Sequence, residues 1–149
     1  MIPIDQIKKL RVETSAPVME IKKALEEASG DEKKAKEILI LSGFERAAKK
    51  LGRETKAGRI FTYTHHSGTI AAVVVLLCET DFVAKNEEFT RLGQELAMQI
   101  ASMNPKDEKD FLLQEYIRDG SKTIDTLIKE TIAKTGENIQ VGDLKRFEI

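Results

Sequence analysis

The chain has 149 residues, of which 41% are apolar and 33% charged, a composition typical of a soluble globular protein with one or two small domains. Its formal net charge of -1 gives no global electrostatic reason to bind nucleic acid or an anionic membrane. One cysteine and two histidines exclude a disulfide framework and leave little material for a metal centre. No secretion signal is recognised and the longest apolar run, residues 70–78, is too short to cross a bilayer, so we expect a cytoplasmic protein.

The first fifty residues carry the pattern of three short helices. Apolar residues recur at helical spacing after Asp5 and again after Pro17. Gly30 is expected to end the second helix, Asp31 to cap the third, and Gly43 to end it. The second helix is expected to place four apolar residues on one face, and the third helix to carry four more. They are Val18, Ile21, Leu25 and Ala28, and then Ala35, Ile38, Leu39 and Leu41.

A polar segment separates these helices from the rest of the chain. Residues 51–57 contain a glycine and no sustained apolar stripe, so we interpret them as a linker. Two readings of the local basic charge stay open: a solvated face, or a patch that contacts an acidic partner surface. The basic residues are Lys49, Lys50, Arg53, Lys56 and Arg59.

After the linker the pattern becomes that of a β-hairpin. Residues 60–65 alternate β-branched and aromatic side chains, a turn signal follows at His66–Gly68, and residues 69–78 are rich in β-branched residues. The second strand is apolar on both faces, which predicts a central strand covered on both sides.

The remaining residues predict helices packed on a sheet. Asn86 is expected to cap an amphipathic helix that ends near Asn104, and a further helix is expected to contain residues 111–117. One more helix is expected to open at Ser121 or Lys122. The tail, Ile139 to Ile149, is interpreted as a strand with a bulge at Gly142 and Asp143. The inner face of the amphipathic helix is assigned to Phe89, Leu92, Leu96, Ile100 and Met103.

The sequence offers little for catalysis. Cys78 ends a buried strand pattern, whereas His65 and His66 lie near the turn, so no base stands beside the thiol. These three residues also lack the spacing of a zinc site, and no glycine-rich phosphate loop is present. We therefore expect no enzyme, no metal and no cofactor, and a hydrolase that uses Cys78 and a histidine is the least favoured class.

The segment between the central strand and the amphipathic helix is unusual. It contains Phe82 directly after Asp81, in a connection of the kind that usually runs over the surface. Phe82 either packs in the core or is an exposed anchor for a partner pocket, oriented by the neighbouring carboxylate. The residues alone leave both alternatives open.

Thr80-Asp81-Phe82-Val83, within residues 78–86, resembles the signature of the translation elongation factor Ts family. Other segments resemble the same family in the same order, and the resemblance covers nearly the whole chain. They are residues 7–11 with Thr14, Ala16 and Met19, then residues 22–25, 30–31, 34–35, 47–50, 96–101, 104–105, 132–134 and 136–139.

The resemblance implies an α+β protein with a ubiquitin-associated-like (UBA-like) three-helix bundle at residues 1–50 and a core domain at residues 58–149. It also implies guanine-nucleotide exchange on elongation factor Tu, bound in its GDP and nucleotide-free forms, without covalent chemistry. Phe82 is carried over as the side chain that intrudes beside the partner's nucleotide and Mg²⁺ site, and Asp81 as its polar neighbour. The implied contact residues are Thr80, Asp81, Phe82 and Val83 of the signature, with Leu10, Arg11, Thr14 and Met19 of the amino-terminal module.

The chain also departs from the family pattern. Only residues 105–124 stand where many members carry a long helical insertion, and one core half is present. We therefore expect a homodimer, in which a second copy completes the sheet through a twofold contact. The alternative function is a protein-binding module without exchange activity, joined to a dimeric scaffold domain.

Overall fold

The structure is a computed structural model that describes residues 1–149. It is an α+β chain with seven helices, a three-stranded antiparallel sheet and a two-stranded hairpin. Among its helices, none combines the length and apolar character that crossing a membrane requires. The helices are α1 (Ile4–Thr14), α2 (Val18–Glu27), α3 (Glu32–Ala48), α4 (Asp81–Ala84), α5 (Glu87–Met103), α6 (Glu108–Leu113) and α7 (Ile124–Thr135). The strands are β1 (Ala57–Thr64), β2 (Ile70–Cys78), β3 (Glu115–Tyr116), β4 (Asp119–Thr123) and β5 (Ile139–Glu148).

Helices α1, α2 and α3 enclose a small hydrophobic core. The predicted turn between α2 and α3 is confirmed: Gly30 has a φ of 83° and its N–H donates to the Leu25 carbonyl. The Asp31 carboxylate accepts hydrogen bonds from the amides of Lys33 and Lys34, which caps α3. The buried members of this core are Leu10, Ala16, Ile21, Ala24, Leu25, Ala28, Ala35 and Leu39.

The prediction that α3 ends at Gly43 is wrong, because the helix continues to Ala48. Gly43 is a buried contact point with α7, where an added Cβ would lie 3.2 Å from the Cβ of Ala133. Leu41, one of the apolar residues noted for this helix, is 63% exposed. A glycine that permits close helix approach is thus indistinguishable, in sequence, from one that ends a helix.

The sheet has the order β1-β2-β5, and both pairs are antiparallel. The predicted hairpin and the central place of β2 are confirmed. The register of β2 with β5 shifts between Val74 and Leu76, so Gly142 and Asp143 together stand opposite Val75, and the predicted bulge is present.

The prediction that β2 is covered on both sides is wrong. Alternate side chains of β2, among them Val74 and Leu76, are fully buried, because α5 packs on that face. Val73, Val75 and Leu77 on the opposite face are only half-buried. We call this second surface the open sheet face; it also carries Ile60, 65% exposed, and Phe147, 52% exposed.

The larger core lies between the helix-covered face of the sheet and helices α5 and α7. The rings of Phe61 and Phe89 contact each other with centroids 5.9 Å apart. The predicted inner face of α5 is confirmed at Phe89, Leu92, Leu96 and Ile100, which are at most 3% exposed, but wrong at Met103, which is 48% exposed. Met103 is the last helical residue, before Asn104 at a φ of 45°.

The predicted helix over residues 111–117 is largely wrong. Helix α6 ends at Leu113, and the chain then forms the β3–β4 hairpin. Buried Gln99 of α5 holds this hairpin, donating to the Glu115 carbonyl and accepting from the Ile117 amide. Helix α7 therefore begins at Ile124, after the residues that were expected to open it, with Thr123 as its cap.

Candidate partner-binding site

The junction between β2 and α5 contains a single helical turn, α4 (Asp81–Ala84), which presents Phe82 to solvent. Thr80 caps this turn, because its hydroxyl oxygen accepts the Val83 amide at 3.4 Å. Val83 and Ala84 are 8% and 5% exposed, whereas Phe82 is 89% exposed. The two residues that follow Phe82 thus anchor the turn in the core, and the aromatic ring points away from it.

The turn between α7 and β5 holds this junction from one side. The Glu137 carboxylate accepts the Thr80 amide at 2.9 Å and the Thr80 hydroxyl at 2.7 Å. In the reverse direction, the Glu79 carboxylate accepts the Asn138 amide at 2.7 Å. The two segments therefore exchange carboxylate–amide hydrogen bonds across 57 to 59 positions of sequence.

Asn138 extends the same contact to the segment after α3. Its side chain is fully buried, and its Nδ2 donates to the carbonyls of Leu51 at 3.3 Å and Arg53 at 2.8 Å. The Arg53 guanidinium also lies 3.8 Å from the Glu79 carboxylate. The predicted linker is thus tied to the Phe82 junction by side-chain and main-chain bonds.

Arg59 of β1 borders the junction on its other side. Its Nη1 donates to Thr90 Oγ1 at 2.9 Å and to the Ala84 carbonyl, at the end of α4, at 3.4 Å. Its guanidinium carbon lies 4.9 Å from the centroid of the Phe61 ring. Of the five basic residues noted in the sequence, Arg59 and Arg53 are therefore bound to the scaffold beside the site.

The environment of Cys78 disfavours a nucleophilic thiolate. The thiol is buried and donates to the Thr80 carbonyl at 3.2 Å. Burial raises the pKa of Cys78, and the nearby Glu137 carboxylate raises it further. The two histidines lie at the hairpin turn, beyond the opposite end of β2, so the structure brings no base to this thiol.

The predicted amino-terminal contact residues divide into exposed and internal ones. Met19 is 73% exposed and Arg11 is also exposed. Leu10 is 1% exposed and belongs to the core of the three helices. The Thr14 hydroxyl donates to the Leu10 carbonyl at 2.6 Å, so it satisfies the end of α1. Leu10 therefore packs beneath the surface of the three amino-terminal helices, whereas Arg11 and Met19 lie on that surface.

Sequence reasoning did not single out Glu137, Asn138 or Arg59 as site residues. Residues 136–139 were noted only as one of the segments that resemble the family, and Arg59 only as one of five basic residues. Glu137 and Asn138 also follow Gly136, which ends α7 with a φ of 79°. Nothing local shows that this turn lies against residue 80. A contact between residues 57 positions apart, such as Glu137 and Thr80, is seen only in the folded structure.

The comparisons with known proteins agree on one family. A family described as "Elongation factor TS" matches residues 79–149. A protein named "Elongation factor Ts" from Aquifex aeolicus is 43% identical over 152 positions, which cover 99% of this chain and 52% of that protein. Proteins of the same name from Leptospira biflexa and Thermotoga maritima are 40% and 39% identical, over 97% and 99% of this chain and 96% of each relative.

The two kinds of relative differ in how many of their residues have no counterpart in this chain. The Leptospira alignment has 190 positions but includes 97% of this 149-residue chain, so about 45 of its positions have no counterpart here. The Aquifex alignment is almost free of such gaps, although this chain spans about half of that protein.

Proposed function

The chain belongs to the elongation factor Ts family, the nucleotide exchange factors of translation elongation, and from that premise we propose that Phe82 promotes the release of GDP from elongation factor Tu. The observation that carries this proposal is an aromatic ring that is 89% exposed on a turn whose next two residues are buried. The ring enters the partner beside its nucleotide site, with Asp81 as the adjacent polar contact.

The exposure of Phe82 has a free-energy cost to the isolated chain. Full burial of a phenylalanine side chain contributes about 1.5–3 kcal/mol to stability. Phe82 does not gain this free energy in the isolated chain, because it lies outside the core that buries Val83. That free energy becomes available when a partner pocket closes over the ring. An exposed aromatic anchor of this kind is common in protein interfaces. We assign its burial to the state from which GDP leaves, so that it lowers the barrier to release and adds little to the first complex with Tu.

The exchange mechanism is differential binding and needs no covalent step. A factor that binds nucleotide-free Tu more tightly than GDP-bound Tu must, by reciprocity, weaken GDP binding by the same factor. A ring inserted beside the site shifts the partner's elements that hold Mg²⁺. Loss of Mg²⁺ contacts removes a large positive charge from the phosphates, so GDP leaves faster.

The three amino-terminal helices are the second element of the proposal. We assign them as a UBA-like module that binds the G domain of Tu through the exposed side chains of Arg11 and Met19. Leu10 and Thr14 maintain that surface through the core and the end of α1. This docking supplies affinity, and the Phe82 junction supplies the effect on the nucleotide.

The third element is a homodimer formed through the open sheet face. Apolar side chains at the centre of a sheet face require a cover, and here Ile60 and Phe147 stay more than half exposed while Val75 is half-buried. Asp143 and Lys145 are both exposed and lie two positions apart in β5. A twofold axis can set these opposite charges against each other, which favours a second copy as the occupant.

Stopped-flow release of a fluorescent GDP analogue from Tu tests the exchange function. We expect acceleration by the chain, and a rate about 10- to 150-fold lower with Phe82→Ala, because the substitution removes about 1.5–3 kcal/mol of ring burial. Leu113→Ala is the control, since Leu113 is a 69% exposed apolar residue of α6 outside the proposed contact.

Two results would contradict this function. If the chain binds Tu without accelerating release, it is the non-exchanging binding module. If Phe82→Ala exchanges as fast as the unsubstituted chain, the role of the ring is wrong even though exchange itself stands.

A further inference from the structure

The α7–β5 turn contacts the Phe82 junction through hydrogen bonds that orient the short helix α4, in addition to the apolar packing beneath it. A helix of four residues is too short to be stable by itself, because nucleation fixes several dihedral angles for one hydrogen bond. Buried Val83 and Ala84 fix the depth of α4 but form only one side of its support. Its first residue, and therefore the direction of the Phe82 side chain, depends on how Thr80 is held.

Thr80 is held by one carboxylate. Glu137 accepts the main-chain amide of Thr80 through Oε1 and the hydroxyl through Oε2. Because the hydroxyl proton points to Glu137, the hydroxyl lone pairs remain free to accept the Val83 amide. Glu137 thus orients the cap of α4, in a relay from carboxylate to hydroxyl to amide.

The bonds around Glu137 also limit the movement of the whole junction. Glu79, the neighbour of Thr80, accepts the amide of Asn138, the neighbour of Glu137. The Asn138 side chain in turn holds the carbonyls of Leu51 and Arg53. Charge-assisted bonds to carboxylates are stronger than neutral ones, so this arrangement fixes α4 relative to the segment that follows α3.

From these contacts we infer that Glu137 is a positioning residue for the exchange reaction: it sets the direction of Phe82 through Thr80 and contacts neither Tu nor the nucleotide. This inference rests on the proposed function of Phe82. Its expected signature is a loss of maximal rate with unchanged binding, since Arg11 and Met19 on the amino-terminal helices are untouched.

The main experiment measures GDP release from Tu as a function of factor concentration. For Glu137→Ala we expect the maximal rate to fall on the order of tenfold, the scale of a lost charge-assisted hydrogen bond, with the half-saturating concentration changed by less than about twofold. Glu137→Gln keeps one acceptor oxygen, so its maximal rate should lie between those of the unsubstituted chain and Glu137→Ala. Glu130→Ala is the matched control, because Glu130 is a carboxylate of α7 that pairs with Lys122 at 3.0 Å.

A double substitution separates positioning from stability. If Glu137 acts through the ring, then adding Glu137→Ala to Phe82→Ala should change the rate by less than about twofold. A tenfold further loss in that background overturns the inference, and so does an equal loss in Glu130→Ala or a normal rate in Glu137→Ala. Should Glu137→Ala fail to fold, Glu137→Gln takes its place, because it keeps the side-chain length and one acceptor oxygen; a maximal rate equal to that of the unsubstituted chain would then overturn the inference.

Hydrogen exchange of the main-chain amides tests the contact without Tu. We expect the Thr80 and Val83 amides, followed by NMR, to exchange on the order of tenfold faster in Glu137→Ala than in Glu130→Ala. Equal protection in the two variants would refute the relay, whatever the exchange assay shows. An unsubstituted chain that does not accelerate GDP release would instead refute the proposed function while the relay stands.

Discussion

Gly93 marks the closest approach of α5 to the sheet, and replacing it with alanine should destabilise the fold. A Cβ at Gly93 would lie 2.2 Å from two ring atoms of Phe61 and 2.4 Å from a third. Phe61 is 5% exposed and packs against Phe89, so its ring cannot move without disturbing the core. Overpacking of this kind costs typically about 1–3 kcal/mol, and occasionally more.

The opposing effect is smaller. Alanine is favoured over glycine in a helix by about 1 kcal/mol, which offsets part of the steric cost. Because three ring atoms are affected, we place the clash at or above the upper end of its range and expect a net loss of about 2 kcal/mol. For a domain of this size that corresponds to a melting temperature about 4–8 °C lower.

Denaturant unfolding followed by circular dichroism measures the change directly. Gly52→Ala is the control, since a Cβ at Gly52 meets nothing within 4 Å. Phe61→Leu combined with Gly93→Ala should recover part of the lost stability, because the smaller side chain makes room. Two results would show that the Phe61 contact does not limit the packing of α5. One is a Gly93→Ala protein as stable as the parent. The other is a double variant whose loss of unfolding free energy equals or exceeds the sum of the two single losses.

Two further predictions concern the phenol of Tyr116 and the open sheet face. Burial, together with the hydrogen bond to Glu95, raises the pKa of Tyr116 to about 12. The phenol should therefore contribute its full stabilisation of the fold below its ordinary pKa of about 10, and that contribution should fade as pH rises from 10 towards 12. An absorbance titration without a tyrosine step near pH 12, or with that step intact in Tyr116→Phe, would contradict this. Sedimentation equilibrium should give a dimer that Ile60→Glu converts to a monomer, because it places a charge in an apolar interface, whereas Glu54→Gln in the exposed linker should not; a monomer of the unsubstituted chain across micromolar concentrations would refute the homodimer.

Local patterns predicted the elements whose neighbours in sequence decide their structure. The Asp31 cap, the β1–β2 hairpin and the inner face of α5 follow from side chains within a few residues of each other. The bulge at Gly142 and Asp143 was also predicted, since a glycine inside a strand weakens regular pairing.

The errors occur where a distant contact decides. Gly43 would end an isolated helix, yet α7 packs against it and α3 continues. Residues 111–117 contain apolar residues at helical spacing, but buried Gln99 binds the main chain of Glu115 and Ile117, and the chain after Leu113 forms a hairpin. In each case tertiary hydrogen bonds or packing override a weak local preference.

The candidate site shows the same division. The residues alone left Phe82 undecided between core and surface, and its exposure became clear only because Val83 and Ala84 occupy the core beside it. Thr80 and Asp81 were identified through the family resemblance. Glu137 is 57 positions from Thr80, and no local pattern relates the two.

The continuity of α3 has a consequence for how a partner is engaged. Its 17 residues span about 25 Å; Leu39 belongs to the amino-terminal core, while Ala47 belongs to the core that supports α4. The helix therefore holds the surface of the amino-terminal helices and the surface around Phe82 at a fixed distance from each other. Once a partner is held at one surface, the other meets it at a fixed distance and with little remaining conformational entropy to lose, so the second contact is favoured by a high effective concentration.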